Sequence, residues 1–276
     1  MKFDNIALGY LSFVNDNNRE RRVQLFKESL HNLSGMKDSC KLISFDNNSC
    51  DEVKKDLCDF GFDFNFHFNE NFYDLSVLYG TYYVCKKLNY KYMIYAYDDI
   101  SYLHNDFIGD SINFLNLNPD VDCVRICSYE KGNIEFHAEK VGKLNNPDAI
   151  NHWASHKGNQ PLTWEPSQVV GSNIFHVNDW HYTSRSSIFR VSSFEKYVDG
   201  YDELPVLNFF EGHVYKKNKD LGIKTGILEG GAFKTMAQHS TKNSERLNLG
   251  NNFLKNIKIK TKDIEKAIDE IWSTYE

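Results

Sequence analysis

The sequence predicts an α/β fold with a mainly parallel β-sheet and helices on both of its faces. Two observations carry this prediction. Strand and helix patterns alternate through the first half of the chain, and the strongest strand pattern is apolar on both faces. Parallel strands need a long crossover, usually a helix, so this alternation is typical of a doubly wound sheet. The length of 276 residues suits one large domain of this class.

The first half of the chain contains strand patterns that are separated by helical ones. The strands are predicted over 6–13, 40–49, 62–68, 92–97 and 122–127. Residues 62–68 ("FDFNFHF") alternate phenylalanine with polar residues, so this strand is expected at the edge of the sheet with one wet face. Residues 92–97 are apolar throughout, as expected of a central strand that is covered on both faces.

The pattern changes after residue 128. Residues 129–181 have weaker periodicity and contain several tryptophans and histidines, so they are predicted to form a loop-rich insertion suited to substrate contacts. Ordered structure is predicted again over 186–203, followed by a helix from about Glu211 to Leu221 and a short strand over 223–228. The chain ends in an amphipathic helix for which Thr261 is the predicted N-cap.

Composition narrows the classes of function. The formal net charge of −6 gives no general basic surface for nucleic acid. The first residues lack the apolar core of a signal peptide, and no apolar run is long enough to span a bilayer. The six cysteines contain no C-x-x-C pair, so we expect reduced thiols in a cytoplasmic protein and no zinc cluster.

Two adjacent carboxylates follow the central strand. Asp98 and Asp99 end the apolar run, although like charges at this spacing are costly to remove from water. In doubly wound sheets, ligands bind outside the carboxyl ends of the strands. Mg²⁺ and Mn²⁺ prefer oxygen ligands, often one or two carboxylates plus substrate phosphates. The pair is therefore either a solvated turn or part of a divalent-cation site.

Further segments stand in a suggestive order along the chain. They are "SFDNNS" (44–49), "YDDISYLHNDFI" (97–108), "SRSSIFRVSSFEKYVDGYDE" (184–203), "FFEGHVYKKNKDLGIKTGIL" (209–228) and "MAQHSTKNSER" (236–246). Together they resemble the GT-A fold of nucleotide-sugar-dependent glycosyltransferases, in particular the inverting family 2 group. The resemblance covers residues 4 to 246 without the insertion. It departs from the family at Tyr97, where an Asp often stands, and at Gly212, which replaces a second acidic residue.

The resemblance implies a Rossmann-like GT-A domain in two halves. Residues 1–127 would bind the nucleotide sugar and residues 128–250 the acceptor, and 251–276 would form the C-terminal helix. The implied cofactor is Mn²⁺ or Mg²⁺. Asp98 and Asp99 would share the contacts with the metal and the diphosphate, with Asp99 as the direct ligand. His239 would complete the metal site.

Other residues acquire roles from the same resemblance. Asp46 would contact the nucleobase or ribose, and Arg246 would lie near the diphosphate. Glu211 would be the catalytic base at the start of a helix. Tyr10, on the first strand, would pack on the base or in the core. Three arginines at the start of the first helix are interpreted as solvated surface or as a diphosphate contact: Arg19, Arg21 and Arg22.

The acceptor side is assigned on residue type alone. The candidates, aromatic or polar groups suited to stacking on a sugar or binding its hydroxyls, are Trp164, Trp180, His181 and Arg185. His152 and His156 are interpreted as a surface pair.

The implied function is metal-dependent transfer of a hexosyl or pentosyl group, with inversion, from a nucleotide-diphosphate donor to a hydroxyl. A UDP-sugar is the favoured donor and a saccharide the expected acceptor. Two alternatives stay open: a phage-type enzyme acting on a hydroxymethylated base in DNA, and a non-catalytic nucleotide-sugar-binding protein with a degenerate site. A nucleotidyltransferase would need a Gly-rich, Lys-containing phosphate loop after the first strand, and "GYLSFVNDNNR" contains none.

Overall fold

A nine-stranded mixed sheet forms the centre of the molecule, in the order β3-β2-β1-β4-β10-β6-β12-β9-β8. The computed structural model describes residues 3–15, 19–104, 106–129, 165–179, 186–236 and 254–275. Its strands are β1 (Ile6–Ser12), β2 (Lys41–Asp46), β3 (Phe64–His67), β4 (Tyr92–Tyr97), β5 (Ile100–Tyr102), β6 (Val121–Arg125), β7 (Cys127–Tyr129), β8 (Gln168–Val170), β9 (Asn173–Asn178), β10 (Ser187–Arg190), β11 (Glu203–Pro205), β12 (Lys224–Leu228), β13 (Phe233–Thr235) and β14 (Lys258–Lys260). Its helices are α1 (Arg19–Leu33), α2 (Asp51–Phe60), α3 (Leu75–Lys87), α4 (Phe107–Leu117), α5 (Val191–Val198), α6 (Asn208–Leu221) and α7 (Thr261–Trp272).

The first half of the chain supplies the parallel part of the sheet. β1 pairs in parallel with both β2 and β4, and β2 pairs in parallel with β3. All seven residues of β1 are buried, and β3 lies at the edge of the sheet, as the sequence predicts. Helices α1, α2 and α3 form the crossovers that parallel pairing requires.

The second half adds strands of both directions. β10 lies between β4 and β6 and is antiparallel to both, whereas β12 is parallel to β6. The prediction of a loop-rich segment over 129–181 is wrong for its last part, because β8 and β9 form a hairpin there. A two-residue turn joins them, with Gly171 at a φ of +60°. Glycine in the first position of a two-residue turn is a hairpin signal.

Two apolar clusters cover the two faces of the sheet, and β4 contributes to both. Tyr92, Ile94 and Ala96 face the cluster under α1, α2 and α4, whereas Met93 and Tyr95 face the cluster under α3 and the later helices. This alternation is what a strand buried on both sides requires.

The C-terminal helix α7 packs onto the α3 side of the sheet. The predicted stripe is confirmed, since its members all belong to or pack against that cluster: Ile264, Ala267, Ile268, Ile271 and Trp272. The prediction of Thr261 as N-cap is wrong. Thr261 is the first helical residue after the cap Lys260, and its hydroxyl lies within hydrogen-bond distance of the Tyr201 and Asp202 carbonyls, at 3.3 and 3.4 Å.

All six cysteines are free thiols. Among the described residues, no helix combines the length and the apolar character needed to cross a membrane.

Candidate functional site

Three parallel strands end at one edge of the sheet, and acidic residues lie at the end of one of them and directly after another. Asp46 is the last residue of β2, and Asp98 and Asp99 follow β4, with β1 lying between these two strands. The register pairs Ser12 with Asp46 and Leu11 with Tyr97. Of the predicted donor-side residues, Asp46, Asp98 and Asp99 therefore lie at the carboxyl edge of the sheet, where doubly wound folds bind ligands.

Asp98 is buried and has donors on both oxygens. Its Oδ2 accepts a hydrogen bond from the Phe13 amide at 3.1 Å, and its Oδ1 forms an ion pair with the Arg22 guanidinium. Burial raises the pKa of Asp98 to about 7, with Arg22 opposing the rise and the neighbouring Asp99 adding to it. The positive charge of Arg22 therefore offsets part of the cost of burying the negative charge of Asp98.

Arg22 lies between the two aspartates. Its Nη1 is 3.7 Å from Asp99 Oδ2, and its side chain is only 26% exposed. The interpretation of this arginine as solvated surface is wrong, because α1 directs it at the end of β4. The side chains of Arg19 and Arg21 lie outside the described part of the chain. Sequence alone gave no sign of which member of the arginine patch would face the carboxylates.

The two carboxylates fit part of the coordination sphere of a hard cation. Asp99 retains 19% exposure of its side chain, and its contact with Arg22 is longer than a hydrogen bond, so its oxygens can turn toward an ion. Asp98, with both oxygens engaged, would coordinate only by giving up a partner. Among the described residues, no group of three or more acidic, histidine or cysteine side chains is arranged around a metal position. Such a site takes its remaining ligands from phosphate and water.

Asp46 holds the turn after β2 together. Its carboxylate accepts hydrogen bonds from the Ser12 hydroxyl at 3.0 Å and from the Ser49 amide at 3.2 Å. Its Oδ2 also lies 3.5 Å from Nδ1 of His67, a residue that the sequence analysis did not select. Because Asp46 is fully buried, its side chain supports the turn from the interior and does not extend into solvent at this edge.

Tyr10 belongs to the core. Its ring is fully buried beside Phe26 and Phe62, and its hydroxyl donates to the Ser29 hydroxyl at 3.1 Å. The ring has no exposed face on which a nucleobase could stack. Of the two interpretations open for this residue, packing in the core fits its position.

Glu211 lies in the first turn of α6, as the sequence predicts for a carboxylate at a helix start. The residue before this helix, Leu207, has a φ of +53°, which is unusual for a branched side chain. Asp74 holds that turn, since its Oδ1 accepts the Leu207 amide at 2.8 Å. Burial raises the pKa of Asp74 to about 7, with the Leu207 hydrogen bond opposing the rise and the charge of Glu211 adding to it.

Asp74 also connects α6 to the carboxyl edge. It precedes α3, and the neighbouring Tyr73 carbonyl accepts a hydrogen bond from Asn47 Nδ2 at 2.7 Å. Asn47 belongs to the turn after β2, next to Asp46. A chain of short contacts therefore runs from the Asp46 turn through Asp74 to the helix that carries Glu211. The sequence analysis missed Asp74, although an aspartate directly before an apolar helix is a recognisable signal.

The remaining candidates lie outside the described residues. They are His239 and Arg246 on the donor side, and Trp164, Trp180, His181 and Arg185 on the acceptor side. The same holds for the histidine pair at 152 and 156. Their assignments stay predictions.

Comparison with known proteins identifies the architecture. A scan against protein-family models finds no match, and a search of curated proteins finds none. The structure is similar to that of the mannosyltransferase PcManGT from Pyrobaculum calidifontis, with a TM-score of 0.54 and 9% sequence identity, over 90% of this chain and 61% of that one. The chain has a GT-A-type fold. At this identity the similarity establishes the fold alone, and the chain spans less than two thirds of the mannosyltransferase.

Two further solved structures are similar to this chain at lower TM-scores. Glucosyl-3-phosphoglycerate synthase from Mycobacterium tuberculosis gives a TM-score of 0.40 at 11% identity, over 79% of this chain and 66% of that one. A cytidylyltransferase from Leptospira borgpetersenii gives 0.45 at 10% identity, over 99% and 96%. TM-scores at this level carry no argument about the function of the chain.

Proposed function

We propose that the chain is a glycosyltransferase that moves a sugar from a nucleotide-diphosphate donor to an acceptor hydroxyl, using Mn²⁺ or Mg²⁺. One observation carries the proposal: Asp98 and Asp99 lie side by side at the carboxyl edge of a GT-A-type sheet, with the Arg22 guanidinium directed at both. The mannosyltransferase of similar fold was solved with GDP-mannose and Mn²⁺, which is consistent with this chemistry. We propose a UDP-sugar as the donor and a saccharide as the acceptor.

Different residues would bind the cation and stabilise the diphosphate. Asp99 would hold the cation, with His239 as a further ligand, and Asp98 would orient the end of β4 through Phe13 and Arg22. When bound, the cation supplies positive charge that stabilises the departing diphosphate. Arg22 adds a second positive group beside it. A guanidinium suits this position because its donors match phosphate oxygens in a bidentate way.

Glu211 would act as the general base. It would take the proton from the acceptor hydroxyl as the oxygen attacks the anomeric carbon from the face opposite the leaving diphosphate. A single displacement of this kind inverts the configuration at that carbon. Glu211 lies in the first turn of α6, where the helix dipole interacts favourably with a carboxylate. Asp74 would fix the turn that presents it.

A thermal-shift panel tests the binding half of this proposal. Nucleoside diphosphates and nucleotide sugars are each measured with Mn²⁺ and with chelator. A ligand at a hundredfold excess over its Kd stabilises the folded state by about 2.7 kcal/mol, which raises Tm by roughly 5–11 °C in a chain of this size. We expect the shift for one nucleotide base, with metal only, and its loss in Asp99→Asn.

A matched control removes a carboxylate elsewhere at the same end of the sheet. Asp106→Asn changes an exposed aspartate seven positions further along and should keep the full shift. If no nucleotide shifts Tm under either condition, the proposal is wrong.

Product analysis then tests transfer. Incubation of the bound donor with saccharides, and separately with duplex DNA carrying hydroxymethylated bases, distinguishes the two acceptor classes. A nucleotide-dependent shift without transfer or donor hydrolysis would instead identify the non-catalytic binding protein.

A further inference from the structure

Three side chains form a line on the α2 side of the Asp46 turn. Sγ of Cys58 lies 3.5 Å from Nε2 of His67, and Nδ1 of His67 lies 3.5 Å from Oδ2 of Asp46. Cys58 is the exposed cysteine of the chain, His67 is partly buried and Asp46 is fully buried. The line therefore runs from solvent to the interior as thiol, imidazole and carboxylate.

The fold accounts for this alignment. β2 and β3 are parallel neighbours whose register pairs Asp46 directly with His67, which places the two side chains together on one face. α2 is the crossover between these strands and packs on β3, so Cys58, near its C-terminal end, is carried over the imidazole. The contact is thus set by strand pairing and by a helix that has little freedom to shift.

Hydrogen-bond chemistry decides the direction of the protons. The Asp46 carboxylate can only accept, so the His67 nitrogen that faces it carries the proton. Nδ1 of His67 is buried and makes no hydrogen bond among the described residues, and the Asp46 carboxylate lies beside it, with Oδ2 at 3.5 Å. Nε2 then presents a lone pair to the Cys58 thiol, which donates to it. The separation of 3.5 Å between Nδ1 and Oδ2 is long for a hydrogen bond, as is common in sites without a bound reactant.

We propose that Cys58 is a nucleophilic thiol and the site of thiol–disulfide exchange with low-molecular-weight disulfides, with His67 as its base and Asp46 as the group that orients the imidazole. A thiol in hydrogen-bond contact with an imidazole, with a carboxylate 3.5 Å from the second ring nitrogen, has the order of nucleophile, base and orienting group that activates a side chain for attack. The inference does not depend on the transferase function, since it uses none of the residues assigned to metal or catalysis.

The exchange step balances without another reagent. Nε2 of His67 takes the thiol proton as Sγ of Cys58 attacks one sulfur of the disulfide. A new S–S bond forms to Cys58, the original S–S bond breaks, and the second half of the disulfide leaves as a thiolate that is then protonated. The oxidation of Cys58 is matched by the reduction of that released half.

The rate of reaction with oxidised glutathione tests the proposal. Cys50 is the other cysteine with partial exposure, so Cys50→Ser serves as the parent chain. The modification of Cys58 is followed by peptide mass mapping, in the native protein and in the same protein unfolded by urea at the same pH. We expect Cys58 to react severalfold faster in the folded chain, because the histidine is beside it only there. An ordinary exposed thiol would react no faster when folded.

Two substitutions test whether the faster reaction of Cys58 depends on His67 and Asp46. His67→Gln removes the base from a partly exposed position and should lower the folded-state rate by about threefold or more. Asp46→Asn should lower it too, and its Tm is measured because this carboxylate also holds the turn. His31→Gln, at an exposed histidine of α1, is the control and should leave the rate unchanged. Equal rates for the parent and His67→Gln, or a folded rate no higher than the unfolded one, would overturn the proposal.

Discussion

Asp74→Asn should stabilise the protein at neutral and alkaline pH. The Asp74 carboxyl is fully buried, and its Oδ2 has no hydrogen-bond partner among the described residues. Burial raises its pKa to about 7 from the ordinary 3.8, which means that the folded protein resists the loss of this proton. Asparagine keeps the oxygen that accepts the Leu207 amide and never carries a charge.

The size of the effect follows from linkage. Since the pKa is higher in the folded state, the folded protein binds more protons and its stability falls as pH rises from about 4 to 7. The shift in pKa from 3.8 to about 7 corresponds to roughly 4 kcal/mol of lost stability above pH 7. Near pH 4 the same calculation gives a destabilisation of less than about 1 kcal/mol. Asp74→Asn removes this dependence and should therefore gain most at pH 8.

Urea unfolding of both proteins at pH 4, 5.5, 7 and 8 measures the difference. The free energy of unfolding of the variant should exceed that of the wild type by a margin that grows with pH, reaching as much as about 4 kcal/mol. Asp106→Asn, at an exposed carboxylate, is the control and should show no such trend. A margin that is constant across pH, or a wild type that is the more stable at pH 8, would refute a raised pKa of the Asp74 carboxyl.

Three further predictions concern the site and its support. Arg22→Gln leaves Asp98 buried without its cation, so urea unfolding at pH 8 should show a loss of about 2 kcal/mol that shrinks at pH 5 as Asp98 binds a proton; an equal loss at both pH values contradicts it. Gly9→Ala would place a Cβ 1.8 Å from Thr81 Oγ1, so it should cost about 1–3 kcal/mol. Part of that loss should return when Thr81→Ala is added, and purely additive effects argue against the clash. Glu211→Gln should keep the metal-dependent thermal shift but lower donor turnover about 10²–10⁴-fold, and an unchanged turnover removes Glu211 from catalysis.

Sequence predicts the parallel half of the fold because its signals are local. An apolar run such as β4 is typical of a strand buried on both faces, and the alternation in β3 matches its place at the edge of the sheet, where Phe66 is buried and Asn65 and His67 are partly exposed. The β8–β9 hairpin was missed because β8 is only three residues long, and β9 gains its place by pairing with β12, a strand about fifty residues later. Only the glycine in its turn gave a local sign.

The candidate site shows the same limit. Asp98 and Asp99 could be located because they end a strand, and the carboxyl edge of a parallel sheet is where such residues gather. Their partner Arg22 precedes Asp98 by 76 residues, and the hydrogen bond between Asp74 and the Leu207 amide spans 133. Neither partner is specified by spacing or periodicity, because each contact depends on how a crossover helix packs. The sequence thus predicted which residues end the strands, but it did not predict which groups form ion pairs or hydrogen bonds with them.

The three buried carboxylates at this edge, Asp46, Asp74 and Asp98, are stabilised in different ways. Asp46 accepts hydrogen bonds from the neutral donors of Ser12 and Ser49, Asp98 is paired with the Arg22 cation, and Asp74 has its pKa raised to about 7 by burial. Asp99 differs from all three, since it keeps partial exposure and has its cation only at 3.7 Å. It is therefore the carboxylate whose charge is least compensated by the protein itself, and a divalent cation bound there would gain the most favourable interaction at the least cost in broken contacts. We therefore propose Asp99 as the direct metal ligand of the proposed transferase, and Asp98 as the carboxylate that would keep Arg22 at the edge where a diphosphate would arrive.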